Sequence, residues 1–333
     1  MGLLEVSVWL LAAGIVIPSG CVLVPILVAT SPLWVPGLVV LYVFLRLVGL
    51  WGRVRGLIYA CYEWLLYGSR GPKRYLWLKF YNFLCWLFPQ PKWKVMNYGY
   101  AIESENGYTI HMDEEEEFER YCYQLYHYVG TGMKEISSYR GLDAVEVGSG
   151  RGGGIAFLTK YLKPKSAIGV DISPVQVQFC TRNYTLPGLS FQRGDAESLP
   201  LESSSTDIVI NVESSHCYGD MPRFVAEVFR VLRPKGHFLY TDFRSAVEVP
   251  ELEKALEASG LRIAKKEDIS RNVLRALQLD NKRRSGLIAD RVPRVFRPLL
   301  RHFSGTEGSN FYTQLQTGET LYLAYNLVKP EEQ

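Results

Sequence analysis

The amino-acid sequence predicts an α/β fold, in which a doubly wound parallel sheet of seven strands follows a hydrophobic hairpin and carries a helical lid. Three observations lead to this prediction. Residues 6–45 contain no charged side chain. A glycine-rich loop near the middle of the chain joins an apolar strand to a helical pattern, and short apolar strands then alternate with helical patterns. Such alternation favours a sheet covered by helices, with a ligand at the carboxyl ends of the strands.

The uncharged N-terminal stretch is longer than the about 20 residues that one membrane-spanning helix needs. Ser31-Pro32 and Pro36 interrupt it, and proline disfavours a continuous helix. We therefore expect a transmembrane or re-entrant hairpin within residues 1–50, with helices over about 6–28 and 34–50. A cleaved signal peptide would need a basic first region, which MGLLEV lacks. A monotopic anchor is the other alternative.

The segment after the hairpin is basic and aromatic. Its basic residues begin with Arg46, Arg53, Arg55, Arg70, Lys73 and Arg74. The positive-inside rule places this flank on the cytosolic side of the membrane. In a eukaryotic cell we expect that membrane to be the endoplasmic reticulum or another internal membrane. Residues 51–95 mix Trp and Tyr with Lys and Arg, which predicts an interfacial amphipathic segment, although an ordinary buried helix has similar residues.

Composition excludes several classes of protein. A net charge of +3 over 333 residues is too small to indicate nucleic-acid binding, and the length allows one large domain with an appendage. The six cysteines form no CxxC pair, which argues against a zinc site and a disulfide framework and favours a reducing compartment. The acidic run at residues 113–119 predicts a solvated helix face.

The glycine loop is the main signal in the central part of the chain. Residues 144–147 form an apolar strand, and residues 155–162 have helical spacing. Between them, Gly148, Gly150 and Gly152 allow a tight turn and the close approach of a ligand to the backbone.

Acidic residues follow the next two predicted strands. The strand AIGVDIS contains Asp171, about twenty residues after the loop, where a carboxylate accepts hydrogen bonds from both ribose hydroxyls of a nucleoside. The strand in LSFQRGD is followed by Asp195, which would bind a ligand or cap a turn. The fourth strand, in STDIVINV, leads into the polar stretch NVESSHCYGD.

Three further strands complete the predicted sheet, in GHFLYTDFR, LRIAKKEDI and TLYLAYNLV. Residues 270–308, between the last two, have apolar residues at helical spacing interleaved with Arg and Lys. We predict that they form a lid. Their basic face is either solvated or in contact with anionic phospholipid, where each Lys or Arg contributes about 1 kcal/mol; the predicted anchor favours lipid contact.

The loop VEVGSGRGG, with Glu146 before its first glycine, resembles the acidic, glycine-rich loop of class I S-adenosylmethionine-dependent methyltransferases. So do GVDIS, GDAESLP and EVFRVLRPKGHFLYTDFR. Within that superfamily the chain most resembles the phthiotriol/phenolphthiotriol dimycocerosate methyltransferase group, which O-methylates lipid alcohols. That likeness includes NVESSHCYGD, DISRNVLRAL and GSNFYTQLQTGETLYLAYNL. Sterol C-methyltransferases are more distantly similar. The resemblance covers residues from about Tyr98 onward, and the N-terminal hairpin departs from it.

The resemblance implies a Rossmann-like methyltransferase domain over residues 96–333 that binds S-adenosyl-L-methionine. It places the methionine part of the cofactor by the loop, the ribose at the second strand and the adenine at the third; the residues implied are Glu146, Gly148, Gly150, Asp171, Ile172, Asp195, Ala196 and Asn211. Tyr98 and Tyr100 would cover the sulfonium, which an aromatic face attracts by about 0.5–2 kcal/mol, or pack in the core.

His216, in NVESSHCYGD, is the predicted catalytic base. Methyl transfer depends mainly on proximity and orientation, but an alcohol must also lose its proton, and an imidazole suits that task. Glu213 and Tyr218 would assist or line the pocket, while His111 and His127 are the competing histidines. No metal is predicted, because no HxxxH spacing occurs.

The predicted function is therefore a membrane-associated transfer of a methyl group from S-adenosyl-L-methionine to a hydrophobic lipid, preferably to a hydroxyl oxygen. C-methylation of a sterol or isoprenoid is the alternative reaction. A non-catalytic lipid-binding protein is the alternative class, and the intact acidic and glycine positions argue against it. The predicted partners are a lipid substrate and a membrane, not nucleic acid.

Overall fold

A computed structural model describes residues 93–102, 110, 112–292, 294 and 297–331, together with 42, 49, 77–79, 81–82 and 85. The predicted hairpin and most of the predicted interfacial segment, like His111, lie outside these described residues. Within them, no helix combines the length and apolar character needed to cross a bilayer. The chain divides into two compact units, Met1–Phe83 and Leu84–Gln333. In the first unit, Trp77 stacks on Tyr81 with ring centroids 5.6 Å apart.

The second unit is an α/β domain whose strands are separated by helices. Its helices are α1 (Glu114–Glu117), α2 (Arg120–Gly130), α3 (Gly153–Leu162), α4 (Pro174–Asn183), α5 (Met221–Val231), α6 (Val249–Ala258), α7 (Ser270–Arg291), α8 (Arg297–Phe303) and α9 (Asn310–Thr317). Its strands are β1 (Asp143–Val147), β2 (Ser166–Asp171), β3 (Leu189–Arg193), β4 (Thr206–Val212), β5 (Leu232–Ser245), β6 (Arg262–Asp268) and β7 (Thr320–Val328). The seven strands lie where the sequence predicts them.

The sheet has the order β3-β2-β1-β4-β5-β7-β6. The first five strands pair in parallel, but β7 is antiparallel to both β5 and β6. The sheet is therefore mixed, and the prediction of a parallel sheet is wrong for β7. An apolar run such as TLYLAYNLV has the same pattern in either direction, so only the connection through α7–α9 sets the direction of the strand.

Both faces of the sheet are covered. One core contains Leu125, Ile155, Leu277 and Phe311 from α2, α3, α7 and α9. The other contains Phe224 and Val228 from α5 together with Leu252 and Leu256 from α6. Alternate residues of β4 enter the two cores, Ile208 and Ile210 on one side and Val209 on the other. Helices on both faces confirm the doubly wound architecture. They also explain the apolar run in β4, because a strand that is buried on both faces has apolar residues on both.

Local sequence determines where several helices begin. Ser173 and Asp220 precede α4 and α5, and their side chains accept hydrogen bonds from the backbone N–H groups of Gln176 and Arg223. Each helix has a proline in its first turn, where the missing N–H costs nothing. These caps fix the points at which the chain leaves β2 and the end of β4, and so they help position the polar residues there.

The second compact unit includes residues upstream of residue 96, the predicted start of the domain. This unit starts at Leu84, and Val95 is buried in its core. Arg151 Nε donates to the Trp93 carbonyl at 2.5 Å, and Gly153 N donates to the Lys94 carbonyl at 3.2 Å. The carbonyls of Trp93 and Lys94 are thus bonded to the end of the glycine loop, and the interfacial character of residues 51–95 stays a prediction.

The acidic run is only partly a solvated face. Glu114, Glu115 and Glu117 are exposed, but Glu116 and Glu119 are buried. Lys160 Nζ and the Tyr161 hydroxyl donate to Glu116, while Lys94 N donates to Glu119 at 2.9 Å. Burial raises the pKa of Glu119 to about 7. The solvated prediction is wrong for these two residues, which have partners outside the run.

Residues 270–308 are helical in α7 and α8, as the spacing predicts. One face of α7 is buried through Val273, Leu277 and Ile288, whereas Arg271 and Arg275 are exposed. Arg284, also buried, bonds the carbonyls of the upstream segment (residues 93–102) and of Ser304. The segment thus packs on the domain with a basic outer face, and its function as a lid stays a prediction.

Candidate active site

The glycine loop between β1 and α3 is pressed against the end of β4. Gly148 has a φ of +74°, and its N–H donates to the Val170 carbonyl at 2.8 Å. A Cβ at Gly148 would lie 1.9 Å from Ser214 Oγ and 2.9 Å from the Tyr218 hydroxyl. Both the backbone conformation and the space therefore require glycine at this position.

Asp171, at the end of β2, holds the loop from the other side. Its Oδ2 accepts a hydrogen bond from Gly150 N at 2.8 Å and its Oδ1 accepts one from Ser173 N at 2.8 Å. Burial raises the pKa of this carboxyl. Because each carboxylate oxygen has two lone pairs, Asp171 retains acceptor capacity for hydroxyls of a ligand. Ile172 follows it, and its carbonyl accepts from Arg193 Nε at 3.4 Å.

Glu146 lies in the interior. Its side chain is 0% exposed, with Oε1 bonded to the Tyr126 hydroxyl at 2.7 Å and Oε2 bonded to Ile155 N at 2.9 Å. The N-cap residue of α3 is Gly152, which has no side chain to cap the helix, so Glu146 supplies the missing acceptor from the neighbouring strand. Burial raises the pKa of Glu146 to about 8. It supports the loop, and its contact with a cofactor stays a prediction.

Asp195 makes the hydrogen bonds expected of a turn residue. Its Oδ1 accepts from Glu197 N at 3.0 Å, and its backbone carbonyl accepts from Ser198 N at 3.0 Å. Ala196, the next residue, is buried in the core under the third strand. Asp195 therefore has the turn-capping role that the sequence allowed as an alternative. Its carboxylate also retains acceptor capacity for the amino group of an adenine.

Asn211, in β4, has a buried acceptor without a partner. The residue is 0% exposed, and its Nδ2 donates to the Val147 carbonyl at 2.8 Å and to the Tyr218 hydroxyl at 3.0 Å. Its Oδ1 makes no hydrogen bond with any described residue. An unpaired buried acceptor costs about 1–3 kcal/mol. A bound ligand with a donor, such as the ammonium group of an amino-acid moiety, would satisfy it.

Glu213 connects three parts of the chain at the end of β4. It has a φ of +46°, and its Oε1 accepts hydrogen bonds from Tyr98 N at 2.6 Å and from the Tyr322 hydroxyl of β7. Burial raises its pKa to about 8, so the neutral form is favoured near neutral pH. Tyr218 lies beside it in sequence but bonds Ser214 Oγ, at 2.8 Å, under the glycine loop.

The structure separates the two tyrosines of the upstream segment. Tyr98 stacks on Phe311 with centroids 4.1 Å apart and also contacts Phe243, next to the end of β4. Tyr100 stacks on Tyr128, whose hydroxyl donates to Glu267 of β6 at the far edge of the sheet. Both rings lie in the same buried core, Tyr98 towards the candidate site and Tyr100 towards β6, and contact of either ring with a cofactor stays a prediction.

His216 is paired with a buried carboxylate. Its Nδ1 lies 2.9 Å from Asp242 Oδ1, and its backbone N–H donates to Asp242 Oδ2 at 2.9 Å. Asp242 follows Thr241, which pairs with Val212, the last residue of β4. The ring of Phe243 lies 4.4 Å from the imidazole centroid. An imidazole oriented by a carboxylate through Nδ1 has Nε2 as its basic nitrogen, the arrangement of a general base.

Two other described histidines have different surroundings. His237 lies at the start of the regular part of β5 and its Nδ1 is 2.9 Å from Asn326 Oδ1, at the opposite end of the sheet from His216. His127 is in the last turn of α2, where burial lowers its pKa.

Sequence reasoning missed several residues of this site. Asp242 and Arg244 occur in TDFR at the carboxyl end of β5, and the rule that identified Asp171 would have found them there. Tyr126 and Tyr322, which bond Glu146 and Glu213, had no local signal. Arg151 is 1% exposed and lies over the Phe179 ring at 4.1 Å, and the sequence analysis did not single it out.

Comparison with known proteins places the chain among characterised folds. Residues 145–240 match the family model described as a methyltransferase domain. The chain is 36% identical over 236 residues to the phthiotriol/phenolphthiotriol dimycocerosates methyltransferase of Mycobacterium leprae, covering 71% of this chain and 86% of that protein. It is 34% identical over 237 residues to the fatty-acid O-methyltransferase of Mycolicibacterium smegmatis, covering 71% and 84%.

A solved structure with a similar fold is that of geranyl diphosphate C-methyltransferase from Streptomyces coelicolor A3(2), in complex with Mg2+, geranyl diphosphate and S-adenosyl-L-homocysteine. The TM-score is 0.55 at 14% identity, over 78% of this chain and 98% of the other. At this identity the likeness concerns the fold alone.

Proposed function

The chain belongs to the S-adenosylmethionine-dependent methyltransferases, and from this premise we propose that it methylates a hydroxyl oxygen of a lipid. The observation that carries the proposal is the pairing of His216 Nδ1 with the buried carboxylate of Asp242, 2.9 Å away, at the carboxyl end of the sheet. The names of the two relatives, which concern phthiotriol-type lipids and fatty acids, support a lipid acceptor.

The residues at the carboxyl end of the sheet suit the cofactor. Asp171 would hold the ribose hydroxyls, the Gly148–Gly150 backbone would lie against the methionine part, and Asn211 Oδ1 would accept a hydrogen bond from the ammonium group. The unpaired Oδ1 is the observation that supports this fit. When bound, S-adenosylmethionine supplies an electrophilic methyl group. The chain itself must bind and orient the acceptor, exclude water and remove a proton.

His216 would remove that proton. With Nδ1–H donated to Asp242, the lone pair of Nε2 accepts the hydroxyl proton of the acceptor as the oxygen gains its methyl group. The imidazolium formed is stabilised by the Asp242 carboxylate. Burial would raise the pKa of this carboxyl, but its interactions with His216, Arg244 and Ser215 outweigh burial and hold the pKa well below its usual range. Glu213 and Tyr218 line the space between the imidazole and the glycine loop in this proposal.

An aromatic wall beside His216 supports an apolar acceptor. Tyr98, Phe243 and Phe311 contact one another with centroid distances of 4.1–5.7 Å, and Phe243 also faces His216 and Tyr322. Such rings suit a hydrocarbon chain, because burial of apolar surface contributes about 25 cal/mol per Å². The wall would also suit a sterol or isoprenoid, so it does not by itself distinguish O-methylation from C-methylation.

The membrane association proposed here has two supports. Residues 6–45 contain no charged side chain, and α7 presents Arg271, Arg275 and Lys282 on its exposed face. A membrane anchor and a basic surface would bring the enzyme to an insoluble acceptor. The catalytic domain would face the cytosol.

The test is transfer of labelled methyl from S-adenosylmethionine to a lipid extract, with mass spectrometry of the product. We expect a methyl ether. The variant His216→Ala should lower turnover about 10²–10⁴-fold with little change in cofactor affinity. His237→Ala is the matched control, since His237 lies at the other end of the sheet, and it should keep turnover near that of the wild type.

The other acceptor chemistries predict different results. An alkene acceptor gives a product with a new carbon–carbon bond, and Tyr98→Phe or Tyr322→Phe should then reduce turnover as much as His216→Ala. A carboxylate acceptor gives a methyl ester and needs no base near neutral pH, so His216→Ala should leave its turnover almost unchanged. Near-normal turnover of a hydroxyl acceptor in stable His216→Ala protein would overturn the proposal.

A further inference from the structure

Asp242 is shared between the imidazole of His216 and the guanidinium of Arg244. His216 Nδ1 lies 2.9 Å from its Oδ1, and Arg244 Nη1 lies 3.2 Å from its Oδ2. Arg244 also donates from Nη2 to Ser215 Oγ at 2.6 Å, and Ser215 Oγ donates in turn to Asp242 Oδ2 at 2.7 Å. The carboxylate side chain is 0% exposed and the guanidinium side chain is 12% exposed, so water screens this cluster poorly.

The electrostatics of such a cluster bear directly on a base. A carboxylate next to an imidazole favours the charged imidazolium, and a protonated imidazole is unable to accept a proton. A permanently charged guanidinium on the same carboxylate opposes a second positive charge there, because like charges in a buried site repel. Asp242 alone would therefore orient His216 but also favour its protonation. Arg244 opposes the protonation of His216 and leaves its orientation by Asp242 unchanged.

Other titratable groups around this cluster favour their neutral forms or act at a distance. Burial raises the pKa of Glu213 to about 8 and raises the pKa values of Tyr240 and Tyr322 further above neutrality. Glu248 interacts electrostatically with Arg244, and Arg284 of α7 interacts with Glu213. The titratable or charged groups that interact with the cluster itself are Tyr240 of β5, Glu213 after β4, Tyr322 of β7 and Glu248 before α6. Arg284 of α7 and Tyr98 of the upstream segment interact with its neighbours Glu213 and Tyr322.

We propose that Arg244 is a positioning residue that opposes protonation of His216 by sharing the Asp242 carboxylate, while Asp242 holds the imidazole with Nε2 as its basic nitrogen. This inference rests on the proposed function, in which His216 is the base for a hydroxyl acceptor. It extends that function, because Asp242 and Arg244 of β5 would then set the pH range in which the enzyme works.

A purely structural role for Arg244 is the competing explanation. Its Nη1 also donates to the Phe243 carbonyl at 2.6 Å, and its bond to Ser215 Oγ ties the end of β5 to the turn that contains His216. Loss of this tie would lower the melting temperature and the turnover number. It would not move the protonation midpoint of an imidazole in a defined direction, and that midpoint is therefore the decisive measurement.

The experiment is an NMR titration of the full-length protein labelled with ¹³C at histidine Cε1, in which His216→Ala identifies the signal of His216. Arg244→Gln should raise the His216 midpoint by about one pH unit, Asp242→Asn should lower it, and Arg244→Lys, which keeps the charge, should stay near the wild type. The acidic limb of the pH–turnover profile for a hydroxyl acceptor should move in the same directions. Cofactor affinity should be unchanged in all three variants.

The titration separates this inference from the proposed function. An unchanged or lowered midpoint in folded Arg244→Gln would overturn the role assigned to Arg244. If Arg244→Gln does not fold, the wild-type signal decides: a His216 midpoint below about 7 supports the proposal and a midpoint well above it overturns it. Midpoints that move as expected without any movement of the pH–turnover limb would support the Arg244 coupling and overturn the proposed role of His216 as the base.

Discussion

At the scale of single residues, the site depends on a few side chains whose places leave little freedom. Gly148 is confined by Ser214 and Tyr218. Asn211 Nδ2 bonds the end of β1, while its buried Oδ1 has no hydrogen-bond partner among the described residues. Asp171 and Glu146 each bond backbone N–H groups of the glycine loop or the helix after it. Acidic side chains thus stabilise the loop from two strands, in addition to any bonds that they make with the cofactor.

Asp171→Ala should weaken cofactor binding. The change removes two hydrogen bonds between a carboxylate and the ribose hydroxyls, and we expect a loss of about 2–3 kcal/mol in binding free energy. Calorimetric titration with S-adenosylmethionine measures it. Glu197→Ala is a useful control, because Glu197 also accepts backbone hydrogen bonds at the carboxyl end of the sheet, from Gly219 and Asp220. Unchanged affinity in folded Asp171→Ala would refute the ribose assignment.

The buried carboxyl of Glu146 should make stability depend on pH. Its folded pKa of about 8 lies above the value of about 4.3 for an unfolded chain. Between these values the folded state binds the proton more tightly, so this contribution is complete below about pH 4 and is lost as pH rises through about 8.

Glu146→Gln removes that titration while keeping a donor and an acceptor for Tyr126 and Ile155. The difference in melting temperature between cofactor-free Glu146→Gln and the wild type should therefore be more favourable to the variant at about pH 9 than at about pH 5. The exposed Glu114→Gln is the control and should show no such trend. Equal differences at both pH values would mean that Glu146 is ionised throughout.

At the scale of elements, α7 has two different faces. Val273, Leu277 and Arg284 fix it to the core and to the upstream segment, while Arg271 and Arg275 remain exposed. A helix held in this way has a stable basic surface rather than a freely moving one. Contact of this surface with anionic lipid would require no change in its packing.

Reversal of the exposed charges on α7 should reduce binding to anionic vesicles. With each basic residue near the surface contributing about 1 kcal/mol, Arg271→Glu/Arg275→Glu should lower the extra binding due to phosphatidylserine by tenfold or more. Co-sedimentation with phosphatidylcholine vesicles, with and without phosphatidylserine, measures this difference. The matched control is Arg223→Glu/Lys254→Glu, which makes the same charge change on exposed positions of α5 and α6 on the other face of the sheet. Equal losses in the two variants would indicate an effect of net charge alone.

At the scale of the whole molecule, the chain joins an uncharged N-terminal stretch to a methyltransferase domain that begins at Leu84. The family resemblance covers the domain, and its relatives match about 71% of the chain. The N-terminal stretch therefore adds a property to a familiar enzyme, and we propose that this property is attachment to a membrane.

Deletion of residues 1–50 should leave a domain that binds S-adenosylmethionine and no longer resists extraction from membranes. Weaker attachment through the basic segment and α7 should persist at low salt and disappear at high salt, because exposed charges are screened over about 10 Å at 0.1 M. Fractionation after carbonate and salt washes measures both effects. Release of the full-length protein by carbonate alone would contradict a spanning hairpin.

The sequence by itself determined the seven strands, the glycine loop and the residues that follow β2, β3 and β4. These features are encoded locally: apolar runs mark strands, glycines mark the tight turn, and polar residues after parallel strands share one edge of the sheet. The same local signals placed His216 and Asp171 in the site. They also brought Tyr98 and Tyr100 together as one motif, although the structure packs Tyr98 against Phe243 and Phe311 and Tyr100 against Tyr128.

Only the tertiary structure decided the rest, because it depends on contacts between residues far apart in the chain. The direction of β7 follows from the path through α7–α9, and Asp242 meets His216 across 26 positions because β4 and β5 are neighbours. Glu146 becomes a helix cap, and Arg151 is buried, only when the upstream segment and α2 close over the glycine loop. A residue's type and spacing predict what it is able to bind, whereas its hydrogen-bond partners depend on which distant segments the fold packs beside it.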